Sequence, residues 1–255
     1  MHIAEHTFVI TGGASGLGAA TADHLVAQGA SVVLLDINQQ AVAAQAEKLG
    51  KQALGIACDI CDSVQVQRAL ATAVEYFATL HGLINCAGVV GAQRILGRKG
   101  PHDLDEFSRV LQINVVGSFN MLRLTAQVMA NNQVNAEGER GVIINTASIA
   151  AYDGQLGQAA YAASKGALVS LTLPAARELA SYGIRVMSIA PGVFETPMMA
   201  GMTDEVRAGL CADVPFPARL GRPEEYAALA QHIIENSMLN GEVIRLDGAL
   251  RMGVK

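Results

Sequence analysis

Short apolar runs alternate with longer stretches in which apolar residues recur every three or four positions, and the alternation continues through nearly the whole chain. Phe8-Val9-Ile10 is the first run, and it ends in Thr11-Gly12-Gly13. A helical pattern follows over about 17–28, with Gly29 where a C-terminal cap belongs. Residues 31–35 are apolar after the first, as a strand buried on both faces should be. The same cycle predicts helices over about 40–49, 63–79, 104–131, 158–182 and 223–236. Strands are predicted between them at 53–58, 83–85, 141–146, 184–189 and 242–246.

Alternating β and α units of this size imply one α/β domain over 1–255: a doubly wound, seven-stranded parallel sheet with helices on both faces. Three stretches break the rhythm. Residues 90–103 carry Gly91, Gly97, Gly100 and Pro101 with Arg94, Arg98 and Lys99 among them. Residues 132–140 are polar and read as a surface turn. Residues 192–222 hold Pro197, Pro215 and Pro217 and read as a lid with short helices. Long loops in a compact domain often carry function, so 90–103 and 192–222 are the candidate substrate loops.

Composition narrows the classes. Small residues are abundant, with 42 Ala and 26 Gly, while hydrophobic residues reach 51% and charged ones only 16%. That excludes a disordered, collagenous or disulfide-framework chain, and 255 residues suffice for a large core. A net charge of -5 argues against a nucleic-acid partner. No apolar run reaches the roughly 18 residues of a membrane span, and the opening residues have no signal-peptide core or Arg-rich amphipathic stretch. These features predict a cytoplasmic protein that does not bind a membrane. Cys58-x-x-Cys61 lacks a second CxxC or a paired His to complete a metal set, so the thiols read as idle and no metal is expected.

Thr11-Gly12-Gly13-Ala14-Ser15-Gly16-Leu17-Gly18 joins the first strand to the first helix. Glycines there let the backbone turn tightly and approach a pyrophosphate, whose charge the helix N-terminus meets. The spacing Gly12-x3-Gly16-x-Gly18 departs from the literal G-x-G-x-x-G fingerprint. Asp36 ends the second strand, where a carboxylate can accept both ribose hydroxyls of an adenosine and repel a 2′-phosphate. No Arg or Lys in the turn offsets that repulsion, so the cofactor read from these residues is NAD rather than NADP.

Tyr161-Ala162-Ala163-Ser164-Lys165 places a phenol and an ammonium four residues apart, on one helix face. A cation held beside the phenol is expected to lower its pKa toward the range useful for acid–base catalysis. Ser148 stands just past the strand 141–146, at the carboxyl edge where such sheets bind ligands, and Asn114 lies within the long helix before it.

With these features the chain resembles the short-chain dehydrogenase/reductase family. The turn from Thr11 to Gly18 matches its TGxxxGxG motif, Asn85-Cys86-Ala87-Gly88 its NNAG motif with Cys86 in place of the second Asn, and Pro191-Gly192 its PG motif. Ser148, Tyr161 and Lys165 match its catalytic triad and Asn114 the fourth member. Segments 141–148, 154–161 and 240–249 further resemble the 3-hydroxyacyl-CoA dehydrogenase branch, which also carries an insertion like that at 90–103.

The resemblance implies a single-domain Rossmann fold, a homotetramer, and NAD-dependent interconversion of a secondary alcohol and a ketone, foremost short 3-hydroxyacyl-CoA esters. It implies that Tyr161 exchanges the substrate's proton, Lys165 tunes Tyr161 and holds the nicotinamide ribose, Ser148 holds the substrate oxygen, and Asn114 positions a water. It also implies that Gly12, Ser15, Leu17 and Gly18 meet the pyrophosphate and Asp36 the ribose. Asp59, Ile60 and Cys86 would then border the adenosine, Phe194 and Thr196 the nicotinamide, and Gln155 the acyl group. The basic cluster Arg94, Arg98 and Lys99 would suit the anionic CoA handle or a solvated loop face. Two other functions stay open: a hydroxysteroid or other secondary-alcohol dehydrogenase, and a non-catalytic scaffold subunit.

Overall fold

The structure, a computed structural model, describes residues 1–98, 100–199 and 203–254. Seven parallel strands form the central sheet: β1 (Thr7–Thr11), β2 (Ser31–Asp36), β3 (Ala53–Ala57), β4 (Gly82–Asn85), β7 (Gly141–Thr146), β8 (Ile184–Pro191) and β9 (Val243–Leu246). Their spatial order is β3-β2-β1-β4-β7-β8-β9. The chain winds one way from β1 to β3 and the other from β4 to β9. The topological switch, where open α/β sheets bind ligands, therefore lies between the carboxyl ends of β1 and β4.

Crossover helices α1 (Gly16–Ala27), α2 (Gln39–Leu49), α3 (Ser63–Phe77), α6 (Ala159–Leu179) and α8 (Pro223–Glu235) cover the sheet. Both faces are dry. Val9, Val33, Leu83, Ile143 and Val186 pack on one side and Phe8, Ile10, Val32, Leu34 and Ile144 on the other. This two-sided burial is why the strands read as unbroken apolar runs. The exception is a row of polar residues in register near the carboxyl ends, Thr11 beside Asn85, Asn85 beside Asn145, and Asn145 beside Ser188. Asn85 Nδ2 donates to Asn145 Oδ1 at 2.9 Å, so the row is cross-linked beneath the site.

Three expectations change. The long helix predicted over 104–131 runs as α4 (Leu104–Leu111) and α5 (Ser118–Met129), joined without a break by a π-helical segment, Gln112–Gly117. Gly117 packs there on Ile60, whose Cγ1 would lie 2.7 Å from any added Cβ. The stretch 132–140 is not a mere surface turn. Glu139 is buried and paired with Arg185 at 2.7 Å, and Arg185 also donates to the Ile233 and Ile234 carbonyls at the end of α8. The insertion at 90–103 folds into a small antiparallel hairpin, β5 (Leu96–Gly97) with β6 (Gly100–Pro101). In 192–222 the described residues hold the expected short helices, a 3-10 turn at Pro197–Met199 and α7 (Asp204–Ala212).

Candidate active site

The glycine turn leaves β1 through Thr11, whose hydroxyl accepts the Cys86 and Ala87 amides at 3.1 Å each and ties the ends of β1 and β4 together. Gly12 has φ +63°, and a Cβ on it would lie 2.9 Å from the Ala87 nitrogen. A Cβ on Gly18 would lie 2.3 Å from the Gly12 carbonyl oxygen. Backbone meets backbone at both positions, so neither tolerates a side chain. Ser15 caps α1 without spending its side chain on the first turn, whose amides have no intrahelical acceptor. Asp36 closes this end: its Oδ2 accepts the Ala14 amide at 3.3 Å and its Oδ1 the Asn38 amide at 3.0 Å.

From here a cleft of about 960 Å³ runs along the carboxyl edge of the sheet. Gly12, Ser15, Leu17, Gly18, Asp36, Asp59 and Ile60 line it, as do Cys86, Ser148, Gln155, Tyr161, Lys165, Phe194 and Thr196, with Cys86 close to Lys165 through Thr146. Of the residues nominated from the sequence for catalysis, cofactor and acyl contact, all reach the cleft except Asn114. Asn114 lies wholly buried in the π-helical segment, where its Nδ2 donates to the Val89 carbonyl and to Ser164 Oγ, both at 2.9 Å. Its Oδ1 accepts the Val89 amide at 2.8 Å. It therefore staples the β4 loop to α6 behind the cleft wall.

Sequence reasoning missed part of that wall. Leu210 and Asp213 enter from α7 and the turn after it, and Leu250 and Met252 from the segment after β9. No motif marks them, since an isolated apolar residue in a terminal segment has no distinguishing spacing. A network fixes that segment: Arg245 bridges Asp153 at 2.5 Å and Asp247 at 2.6 Å, and the Leu156 amide donates to the Val254 carbonyl at 3.0 Å.

At the chemical end Ser148 follows β7 and caps the turn Ile149–Ala151, its Oγ accepting the Ala150 amide at 3.1 Å. Tyr161 and Lys165 stand one turn apart on α6, with the Lys165 Nζ 5.8 Å from the Tyr161 ring centroid. Lys165 is 5% exposed and donates to the Thr146 carbonyl at 2.6 Å. Burial pushes Lys165 down to about 8. Tyr161 departs from the expectation of a lowered pKa. Burial raises its phenol, and hydrogen bonding with Ser148 only partly reverses that. In so dry a site the desolvation of a phenolate outweighs a cation beyond contact distance.

The basic insertion lies apart from the cleft. Arg94 and Arg98 line, with Leu96 and Gly97, a separate concavity of about 530 Å³, while Lys99 falls outside the described residues. The Gln93 amide donates to the Gly157 carbonyl at 2.8 Å, which ties the hairpin to the loop bearing Gln155. Gln155 Oε1 in turn accepts from Gln158 Nε2 at 3.1 Å. Cys58 and Cys61 are each pushed up to about 11, chiefly by burial and then by Asp59, which leaves them as unreactive thiols.

Residues 6–207 match the family model for short chain dehydrogenase. The 3-hydroxyacyl-CoA dehydrogenase type-2 of Bos taurus is 54% identical over 246 residues, covering 96% of this chain and 94% of that one. The crystal structure of 3-hydroxyacyl-CoA dehydrogenase type-2 from Mycobacterium avium superposes with a TM-score of 0.95 at 40% identity, over 100% of both chains. That of 3-ketoacyl-(acyl-carrier-protein) reductase from Brucella melitensis, complexed with NADH, gives 0.89 at 29% identity, over 98% of this chain and 100% of the other. With the glycine turn, the switch-point cleft and the Ser148–Tyr161–Lys165 cluster in place, the chain belongs to the short-chain dehydrogenase family of oxidoreductases.

Proposed function

We propose that this chain is an NAD-dependent dehydrogenase that interconverts short 3-hydroxyacyl-CoA and 3-oxoacyl-CoA esters. The observation that carries the reading is one continuous cleft with Asp36 toward one end and Ser148, Tyr161 and Lys165 at the other. A dinucleotide fits the residues present, because Gly12 and Gly18 leave the backbone bare where a Cβ would collide, and the free amides of α1 open beside them. Gly12, Ser15, Leu17 and Gly18 would hold its pyrophosphate, Asp36 the adenosine ribose, and Asp59 and Ile60 the surroundings of the adenine, while Cys86, expected from the sequence to border the adenosine, sits beside Thr146 and Lys165. Phe194 and Thr196 would border the nicotinamide, which when bound supplies the hydride acceptor.

The chain's own part is placement and proton handling. Ser148 Oγ and Tyr161 Oη hold the substrate oxygen between them. Tyr161, its phenol kept protonated by burial, gives up the hydroxyl proton to a ketone oxygen and takes it back from an alcohol. Lys165 keeps a positive charge beneath it near neutrality. Asn114 commits its amide nitrogen to Val89 and Ser164, so its contribution is to fix the β4 loop against α6.

Arg94 and Arg98 would supply cations for the phosphates of a CoA handle, and the Gln93–Gly157 hydrogen bond that ties their segment to the loop bearing Gln155 supports the reading. The names of the relatives support this substrate class. The apolar wall of Leu210, Leu250 and Met252 favours a second reading, a hydroxysteroid in the same cleft. Family resemblance also supports a homotetramer, which sedimentation equilibrium would refute by returning the mass of one chain.

The cofactor reading is tested by following acetoacetyl-CoA reduction with NADH and with NADPH. NADH is expected to be preferred by at least about tenfold in kcat/KM, and the preference to shrink in Asp36→Ala, since each hydrogen bond to a charged group contributes about 1.5 kcal/mol or more. Equal rates with both cofactors in the unaltered protein would defeat the Asp36 argument.

A further inference from the structure

Tyr226 heads the large side chains that are fully buried among the described residues, and it sits on α8, far in sequence from every motif. Its hydroxyl lies 2.7 Å from Thr146 Oγ1 and 3.8 Å from Cys86 Sγ, and Thr146 Oγ1 lies 3.6 Å from the same sulfur. Three groups with one hydrogen each close a ring: Tyr226 donates to Thr146, Thr146 to Cys86, and Cys86 to Tyr226. Burial raises both the thiol and the phenol, so the ring keeps its hydrogens and stays neutral. Such a satisfied network at the floor of the cleft is stiff, and each member fixes the rotamer of the next.

Thr146 is the last residue of β7, and its carbonyl accepts the one hydrogen bond that Lys165 Nζ makes among the described residues, at 2.6 Å. Groups facing Lys165 are Tyr161 on its own helix, the Cys86 thiol at the end of β4, and the Asn114 amide across Gly88. Among the described residues none of these three hydrogen-bonds the ammonium. We propose that Tyr226 is a positioning residue for the reaction: through the ring with Thr146 and Cys86 it fixes the carbonyl that sets where Lys165 stands beneath Tyr161. The inference rests on the roles given above to Tyr161 and Lys165.

Tyr226→Phe removes one hydroxyl from a closed core without opening a cavity. The expected result is a fall in kcat of about tenfold with the dissociation constant for NADH within twofold of the unaltered protein. The alkaline limb of the kcat profile should also move to lower pH, because an ammonium without its fixed acceptor is harder to keep charged. Thr146→Val should behave alike, the double variant should be no worse than either single one, and Thr146→Ser, which keeps the hydroxyl, should retain at least five times the kcat of Thr146→Val. An unchanged kcat and pH profile accompanied only by a lower melting temperature would overturn the proposal, as would strictly additive losses. If Tyr226→Phe does not fold, the ratio of Thr146→Ser to Thr146→Val decides. Rates are to be measured with acetoacetyl-CoA and with a ketosteroid. An unaltered protein active only on the ketosteroid removes the acyl-CoA reading, and Tyr226 is then judged on the ketosteroid rates.

Discussion

At Asp36 each carboxylate oxygen already accepts one main-chain amide, from Ala14 and from Asn38, which holds the group still at the end of β2 with lone pairs left for a ligand. At Tyr161, which lines the cleft, burial sets the protonation state. A phenol kept protonated is ready to donate toward a ketone and must lose its proton before it can accept one from an alcohol. Reduction is therefore expected to persist toward lower pH, and alcohol oxidation to rise with pH above neutrality. Tyr161→Phe should lower kcat in both directions by about a hundredfold or more, the lower range for a lost acid–base group. NADH fluorescence should show its affinity nearly intact. Turnover retained in that variant would remove Tyr161 from the mechanism.

At the scale of elements, what was legible depended on whether the signal was local. The strands carry it in unbroken apolar runs, and the glycine turn, Asp36, and the Tyr161–Lys165 pair carry it within single elements. The π-helical segment Gln112–Gly117 was not legible, because one extra residue per turn barely disturbs a helical pattern, yet it is what carries Asn114 to Val89 and Ser164. Tyr226 was hidden for a related reason: on α8 it occupies an ordinary apolar-face position, and only the fold brings its hydroxyl to β7. Glu139 was misread because polar neighbours in 132–140 look like a solvated turn. Its pairing with Arg185 joins that turn to the start of β8 and the end of α8, at the edge of the sheet opposite the cleft. Removing one partner of a buried pair strands the other, so Glu139→Ala should lower the unfolding free energy by about 3 kcal/mol. Activity per folded molecule should stay unchanged. A loss below about 1 kcal/mol in urea titration would contradict the pairing's structural role.

Across the whole molecule the amino edge of the sheet is held by a group that must stay neutral. His81 Nδ1 accepts the Thr7 amide at 3.1 Å, its main chain links β1 to β7, and the His6 ring lies 4.3 Å away. Burial, and then His6, push His81 down to about 4 from an ordinary 6.5. The unfolded chain binds that proton first, so the contribution is complete above about pH 6.5, falls as pH drops toward 4, and levels off below. After allowance for its partial exposure this amounts to about 2 kcal/mol. Urea midpoints of the unaltered protein and of His81→Gln should therefore converge between pH 6.5 and 4. Parallel curves would refute it.

The opposite, carboxyl edge holds the cleft, whose 960 Å³ is lined by Asp36, by Tyr161 and Lys165, and by the wall of Leu210, Leu250 and Met252. The most direct test of the account is a side-by-side measurement of kcat/KM for acetoacetyl-CoA and for a ketosteroid, with NADH, on the same preparation. Acetoacetyl-CoA is expected to exceed the ketosteroid by at least about tenfold, with its KM alone rising when Arg94 and Arg98 are both changed to Ala. A ketosteroid preferred over the acyl-CoA, with KM for acetoacetyl-CoA indifferent to those arginines, would contradict the central claim.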